Sequence, residues 1–147
     1  MDKLKLIAFD AEDLAVISAN LQDAVLKVGD MTYLRAEKRF AAVLNRFDWS
    51  NAIIDGKMDL RRRQSALRFE RVLGAQVSGL NLAEKSEVLA LLAIQFEAKA
   101  ADDPAGNVTL IFAGNGAVKL EVECIEAELR DLGPEWRALA KPEHPGD

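Results

Sequence analysis

Apolar and polar residues alternate with a period of two along most of this chain. A chain patterned that way has to be mainly β, because only strands send successive side chains to opposite faces. Leu4, Leu6 and Ala8 alternate with Lys3 and Lys5, and Ala24, Leu26 and Val28 repeat the pattern before a turn at Gly29-Asp30. Residues 31–35 make a second short strand, and residues 39–49 a longer one in which Phe40, Ala42 and Leu44 share a face. Phe47 and Trp49 fall on its opposite parity. Either a one-residue bulge near Asn45-Arg46 brings them back to the core, or this strand is buried on both faces. Leu67, Phe69, Leu73, Ala75 and Val77 share one parity further on; Arg71 breaks the apolar side and Gly74 the polar one, so a bulge or twist is expected there. Val88, Ala90, Leu92, Ile94 and Phe96 read as another strand. Leu89, Leu91 and Ala93 make the same stretch nearly continuous in apolar character, and a buried helix over residues 84–96 competes with it.

The strongest hairpin signal is Gly114-Asn115-Gly116, between Val108, Leu110, Phe112 and Val118, Leu120, Val122. Beyond it, Ile125, Leu129 and Leu132 fit a helix while Ile125, Ala127 and Leu129 fit a strand, so residues 123–132 stay open between the two. One segment departs clearly from period two. Leu14, Ile17 and Leu21 recur at helical spacing behind Asp10, an N-cap candidate with Asp13 three residues on, which predicts an amphipathic helix over about residues 11–22. Residues 50–60 read as a surface loop, residues 99–106 as a loop with local disorder, and residues 137–147 as a flexible tail behind a single domain of residues 1–136. The chain's 147 residues suffice for a core of its own, and no long period marks a solenoid. The expected fold is α+β and mainly antiparallel: a bent sheet, a sandwich or a partly open barrel, with one N-terminal helix. A pleckstrin-homology-like barrel is one member of that set.

Two counts limit the chemistry. The only histidine, His144, lies in the expected tail, and the only cysteine is Cys124. That argues against a Ser–His–Asp triad, a Cys–His pair, a histidine base and a His/Cys metal site, so neither metal nor cofactor is expected. A lone cysteine forms no intramolecular disulfide, which fits a reducing compartment. No apolar leader follows Met1, and no run approaches the ~18 apolar residues of a membrane span. The expectation is a cytoplasmic protein with no membrane partner.

The formal net charge is −5, yet residues 35–71 hold ten Lys/Arg against five acids, a local +5 in an otherwise acidic chain. Arg61, Arg62 and Arg63 sit where a loop meets a strand. With Arg46, Arg68 and Arg71 they form a candidate basic rim for phosphate or carboxylate groups. The competing reading is a solvated surface interleaved with Asp48, Asp59 and Glu70. Arg71 falls on the apolar side of its strand pattern, where a buried guanidinium needs a carboxylate or a ligand anion. Glu121 and Glu123 are close enough to act as paired carboxylates, but their parity opposite Leu120 and Val122 favours a solvated face. A pI near 5.0 is a poor match to a dedicated nucleic-acid binder, and only Tyr33 and Trp49 are candidate exposed stackers for bases. Gly114-Asn115-Gly116 has no following helix and so fails as a phosphate loop.

These residues point first to a non-enzymatic binding or protein-interaction module whose basic rim takes a protein or an anionic small molecule. The alternatives are a small-molecule enzyme using Arg71 with Glu70 or Asp48, and an RNA binder. Homodimerisation through an unpaired strand edge is compatible with the pattern.

Three segments are familiar as a set: Leu21-Gln22-Asp23-Ala24-Val25 through Gly29-Asp30, Lys38-Arg39-Phe40 through Asn45-Arg46-Phe47-Asp48-Trp49, and Glu123-Cys124-Ile125 through Leu132-Gly133-Pro134. Together the chain resembles a bacterial family catalogued as domain of unknown function 2948, over nearly its whole length up to Trp136. The resemblance implies a cytoplasmic bacterial protein of one domain. It brings no activity, cofactor or catalytic residue to carry over.

Overall fold

Alternation becomes strand after strand in the computed structural model, which describes residues 3–48, 53–54, 57–58 and 61–133. In chain order the elements are β1 (Lys5–Ala8), α1 (Ala11–Asn20), β2 (Val25–Lys27), β3 (Met31–Leu34), β4 (Arg39–Asp48), β5 (Ile53–Ile54), β6 (Lys57–Met58), β7 (Arg61–Phe69), β8 (Val72–Ser78), β9 (Val88–Ala98), β10 (Gly106–Phe112), β11 (Ala117–Val122) and β12 (Ala127–Asp131). One antiparallel sheet runs in the order β1-β12-β7-β4-β2-β9-β10-β11-β8, with β3 also paired to β4. The fold is α+β: a bent, open sheet with one helix. Among the described residues no helix is long and apolar enough to cross a membrane.

The helix follows its signals. Asp10 is the N-cap in extended backbone; its Oδ1 accepts from Asp13 N–H at 2.8 Å, and Asp13 Oδ2 accepts from Phe9 N–H at 3.1 Å. This reciprocal pair satisfies donors that a helix start leaves open. Leu14, Ile17 and Leu21 are buried, and α1 packs on β9 and β1.

The sheet departs from the sequence pattern wherever a strand bulges or turns. β9 is a strand and not a helix, but its first half buries Leu89 and Leu91 instead of Val88, Ala90 and Leu92. Its register against β10 jumps from Ile111↔Ala93 to Phe112↔Leu91, which leaves Leu92 as the extra residue and returns Ile94 to the core. A bulge inverts parity, so two half-patterns in one strand look like a continuous apolar run. Next to it, Ile94 N–H donates to Ser18 Oγ of α1 at 2.9 Å.

Residues 67–77 are not one strand. Arg71 has φ +61, the left-handed region, and breaks the run into β7 and β8, which lie far apart in the sheet order. A register shift against β11 at Leu73 then puts Val72, Ala75 and Val77 opposite the inward-facing Val122, Leu120 and Val118. Of residues 123–132, Ala127–Asp131 form strand β12 and none is helical, with Ala127, Leu129 and Asp131 buried in alternation. Within the expected loop 50–60, Ile53 pairs with Met58 and Ile54 with Lys57; the rest of it, like Trp49 and residues 137–147 with His144, lies outside the described residues. The loop after β9 is closed by Lys99 N–H on Ala105 O at 2.8 Å and Asp103 N–H on Ala100 O at 3.1 Å.

β4 carries no bulge. Its pairing with β7 runs unbroken from Phe40↔Phe69 to Asp48↔Arg61. The inward parity of Phe40, Ala42 and Leu44 therefore continues to Arg46, and Phe47 stays half-buried on the other face.

At the start of β10 the backbone crosses β9 so closely that a Cβ on Gly106 would overlap Glu97 O and lie 2.9 Å from Ala98 Cα. Gly106→Ala is expected to cost about 3 kcal/mol, since only a backbone shift relieves such a clash. The melting temperature should fall by roughly 10 °C. Gly74→Ala, whose Cβ meets only Glu121 Oε1 at 3.7 Å, should be neutral or gain about 0.5 kcal/mol. Thermal melts of the two variants check both.

Candidate functional site

Strand geometry disperses the arginines. On β7, Arg63 shares the inward parity of Ser65, Leu67 and Phe69, whereas Arg62 and Arg68 face the other way. Arg62 is exposed, its guanidinium 4.6 Å from the centre of the Phe47 ring, a cation–π contact. Arg63 is half-buried and directly opposite Arg46 in register. Arg61 ends β7 opposite Asp48, and the side chains of both lie outside the described residues. Arg68 and Arg71 belong to charge pairs on the outer face. Arg39 Nε lies 2.8 Å from Glu70 Oε2, Arg68 Nε 2.9 Å from the same oxygen, and Arg68 Nη2 3.5 Å from Glu128. Arg68 Nε–H is not aimed at that oxygen, so the contact is a charge pair and not a hydrogen bond. Arg71, expected on the apolar side, is exposed and 3.5 Å from Glu126; its positive φ turns it out of the strand pattern. Glu123 meets Lys38 at 3.0 Å. Such exposed pairs contribute little each, about 0–1 kcal/mol.

Arg46 is different. Only 7 % of its side chain is exposed, and 2 % of that of Asp131. Arg46 Nε donates to Asp131 Oδ1 at 2.9 Å and Nη2 to Oδ2 at 2.7 Å. Ser65 Oγ donates to Oδ1 at 2.7 Å and Leu4 N–H to Oδ2 at 2.9 Å. A carboxylate offers about four acceptor positions, and these four donors fill them. Burial by itself pushes the Asp131 carboxyl up, but the Arg46 hydrogen bonds, the Leu4 N–H, the Ser65 hydroxyl and the Arg46 charge together hold it below its ordinary value of 3.8. A carboxylate so filled and so acidic is built to hold strands together. It has no position left for a substrate proton. Among the described residues, no cluster of His, Cys, Asp or Glu is placed to hold a metal ion.

The bend of the sheet creates a second feature. β3 pairs with β4 on one side and β8 with β11 on one side, and their remaining edges face each other without a register between them among the described residues. At one end this seam is closed: Val72 N–H donates to Lys38 O at 2.9 Å, and Tyr33 Oη donates to Val72 O at 3.0 Å. Tyr33 is thereby half-buried and engaged rather than an exposed stacker. Toward the other end the seam opens into a cavity of about 210 Å³ lined by Val28, Met31, Thr32, Tyr33, Phe40, Ala75, Val77, Leu82, Lys85 and Val118. Of the lining residues, Val77 on β8 is 38 % exposed and Leu82 in the following loop 48 %. None of these seam residues was singled out in sequence as binding an apolar partner. The seam joins segments some forty residues apart, and no local pattern reports that. The Asp131 partnership did leave a signal, in the continuation of the β4 inward parity to Arg46.

Removing one partner of the buried pair strands the other, so Asp131→Asn or Arg46→Leu is expected to cost about 4 kcal/mol. Replacing Arg46, Asp131 and Ser65 together by Leu, Leu and Ala should recover most of that loss. A carboxyl lowered in the folded state contributes stability above its unfolded value and loses it as pH falls through the folded value. The stability gap between the native chain and Asp131→Asn should therefore be constant above about pH 5 and narrow below about pH 3.8. Denaturant titrations across that range measure it.

No curated protein matches the chain, and no solved structure does. A family described as "Protein of unknown function (DUF2948)" matches residues 4–144, a span that includes all three segments. The chain that ties Arg46 to Asp131 and leaves a seam between β3 and β8 belongs to that family.

Proposed function

We propose that this protein is a non-enzymatic binding module that holds an extended apolar segment of a partner protein in the seam between β3 and β8. The observation that carries the reading is a pair of strand edges left without registered partners across an apolar cleft. Proteins ordinarily cover or charge such edges, because an open row of backbone donors and acceptors recruits another strand. Strand addition uses that row for affinity and a side-chain pocket for choice. A cavity of about 150 Å³ accommodates benzene. The seam's 210 Å³ therefore has room for one side chain the size of leucine or phenylalanine. Burying such a side chain contributes about 2 kcal/mol. The partly exposed Val77 and Leu82 carry the apolar lining out to the open end, which suits a peptide better than a compact small molecule. The basic rim is not the chosen site, because its arginines lie on both faces and Arg46, Arg68 and Arg71 already meet carboxylates. A reducing, cytoplasmic setting fits a chain whose single cysteine, Cys124, is free.

The test is selection from a displayed library of short random peptides. The intact protein is expected to enrich segments with a large apolar residue in an alternating context. Val77→Asp places a charge in the wall of the seam at a partly exposed position and should weaken each selected peptide at least tenfold, about 1.4 kcal/mol, with an unchanged melting temperature. Equal enrichment by the intact protein and Val77→Asp would overturn the reading.

A further inference from the structure

We infer that the segment held in the seam carries a carboxylate beside its apolar anchor, and that Lys85 selects it. This rests on the proposed binding role and names its partner's chemistry. Lys85 is the one charged residue among those lining the cavity. Among the described residues Lys38, Arg39, Arg68 and Arg71 each stand within ion-pair distance of a carboxylate, whereas Lys27, Arg35, Lys99, Lys119 and Arg130 do not; what sets Lys85 apart is its place on the cavity wall. Lys85 has no such partner among the described residues, although Glu84 and Glu87 flank it in sequence.

The loop holds the backbone of Lys85 in place. Glu84 N–H donates to Asn81 O at 3.1 Å and Glu87 N–H to Glu84 O at 3.0 Å, so the chain turns tightly around the lysine. Gly29 N–H donates to Lys85 O at 2.9 Å and Val28 N–H to Glu87 O at 2.9 Å. The backbone at Gly29 lies so close that a Cβ there would sit 3.1 Å from Lys85 O. The stem of Lys85 thus starts from a fixed point on the wall of the seam, and its exposed side chain is free to reach an anion placed there.

Position within the seam supports the same reading. The Tyr33–Val72 bond closes the end near Lys38, so a bound segment enters from the end where Val28, Val77, Leu82 and Lys85 lie. An anion placed there meets a cation beside apolar walls, where attraction is less screened than in open water. A neutral or basic segment gains nothing from Lys85, and the chain's net charge of −5 gives no general attraction for acidic peptides. Acid preference at the seam would therefore be local to this lysine.

The experiment repeats the peptide selection with the intact protein, Lys85→Gln and Lys85→Glu, beside Val77→Asp. Lys85 is exposed, so these variants should fold and melt as the intact protein does. The intact protein is expected to enrich Asp or Glu next to the apolar anchor, Lys85→Gln to lose that bias, and Lys85→Glu to favour Lys or Arg there. For the best acidic peptide, calorimetry should show about a tenfold loss when its acid is changed to the amide, shrinking as salt rises. Apolar enrichment with no charge bias, identical in the intact protein and Lys85→Glu, overturns this inference and leaves the binding role standing. No enrichment over Val77→Asp overturns the binding role itself. Octanoate bound in a Val77-dependent way, with no peptide enriched, assigns the seam to small apolar carboxylates and overturns the protein-segment form of both.

Discussion

A guanidinium that faces inward on a strand has to be met by a carboxylate, and here the meeting sets the register of half the sheet. Arg46 lies on β4, Ser65 on β7 and Asp131 on β12, three adjacent strands, and Asp131 stands directly opposite Ser65. The N–H of Leu4, just before β1, supplies the fourth donor, and Asp131 N–H returns a bond to Leu4 O at 2.9 Å. Sliding β4 or β12 by one residue would turn Arg46 or Asp131 to the other face and leave its partner buried and alone. Apolar packing alone penalises such a slip less sharply, since one aliphatic side chain can replace another. The cost of a buried charge is thus used for specificity of pairing, whatever its net effect on stability.

Once β4 is held along its whole length by β7, its other side is left for two short strands. β3 covers residues 39–42 and β2 meets it at Asn45. The sheet continues from β2 into β9, β10, β11 and β8 and bends round until Val72 reaches Lys38. The bulges at Leu92 and Leu73 keep apolar side chains facing the core along that path. They do not bring β8 into register with β3. Closing the sheet completely would have removed both edges; the Tyr33 hydroxyl instead spans the gap at one end. The seam is what remains when a sheet of this order bends without closing.

Much of this was legible in the sequence, because period-two alternation reports a strand wherever the backbone is regular. β1, β2, β3, the β10–β11 hairpin and the capped helix follow directly from it. The failures share one cause, a local change of parity. Leu92 and Leu73 bulge, and Arg71 takes a left-handed conformation that sequence assigns to glycine or asparagine. The sequence of residues 39–48 allows a bulge that the strand does not make, and the unbroken register is what puts Arg46 inside. Composition alone could name the arginines and not their partners. Asp131 lies 85 residues from Arg46, and only the sheet order brings them together.

Charge illustrates the same limit. A window of +5 looks like a patch when counted along the chain, but a strand deals its side chains alternately to two faces. Arg46 is spent in the core, Arg62 lies over Phe47, and Arg39 and Arg68 share Glu70. Lys85, the charged residue on the cavity wall, lies outside that window, in a stretch flanked by acids. Its significance comes from its surroundings. Against open solvent a lysine is one charge among many, but beside Val28, Val77 and Val118 it is the one charged residue lining the cavity. A charge in this fold is therefore better read from what surrounds it in the sheet than from where the sequence concentrates charge.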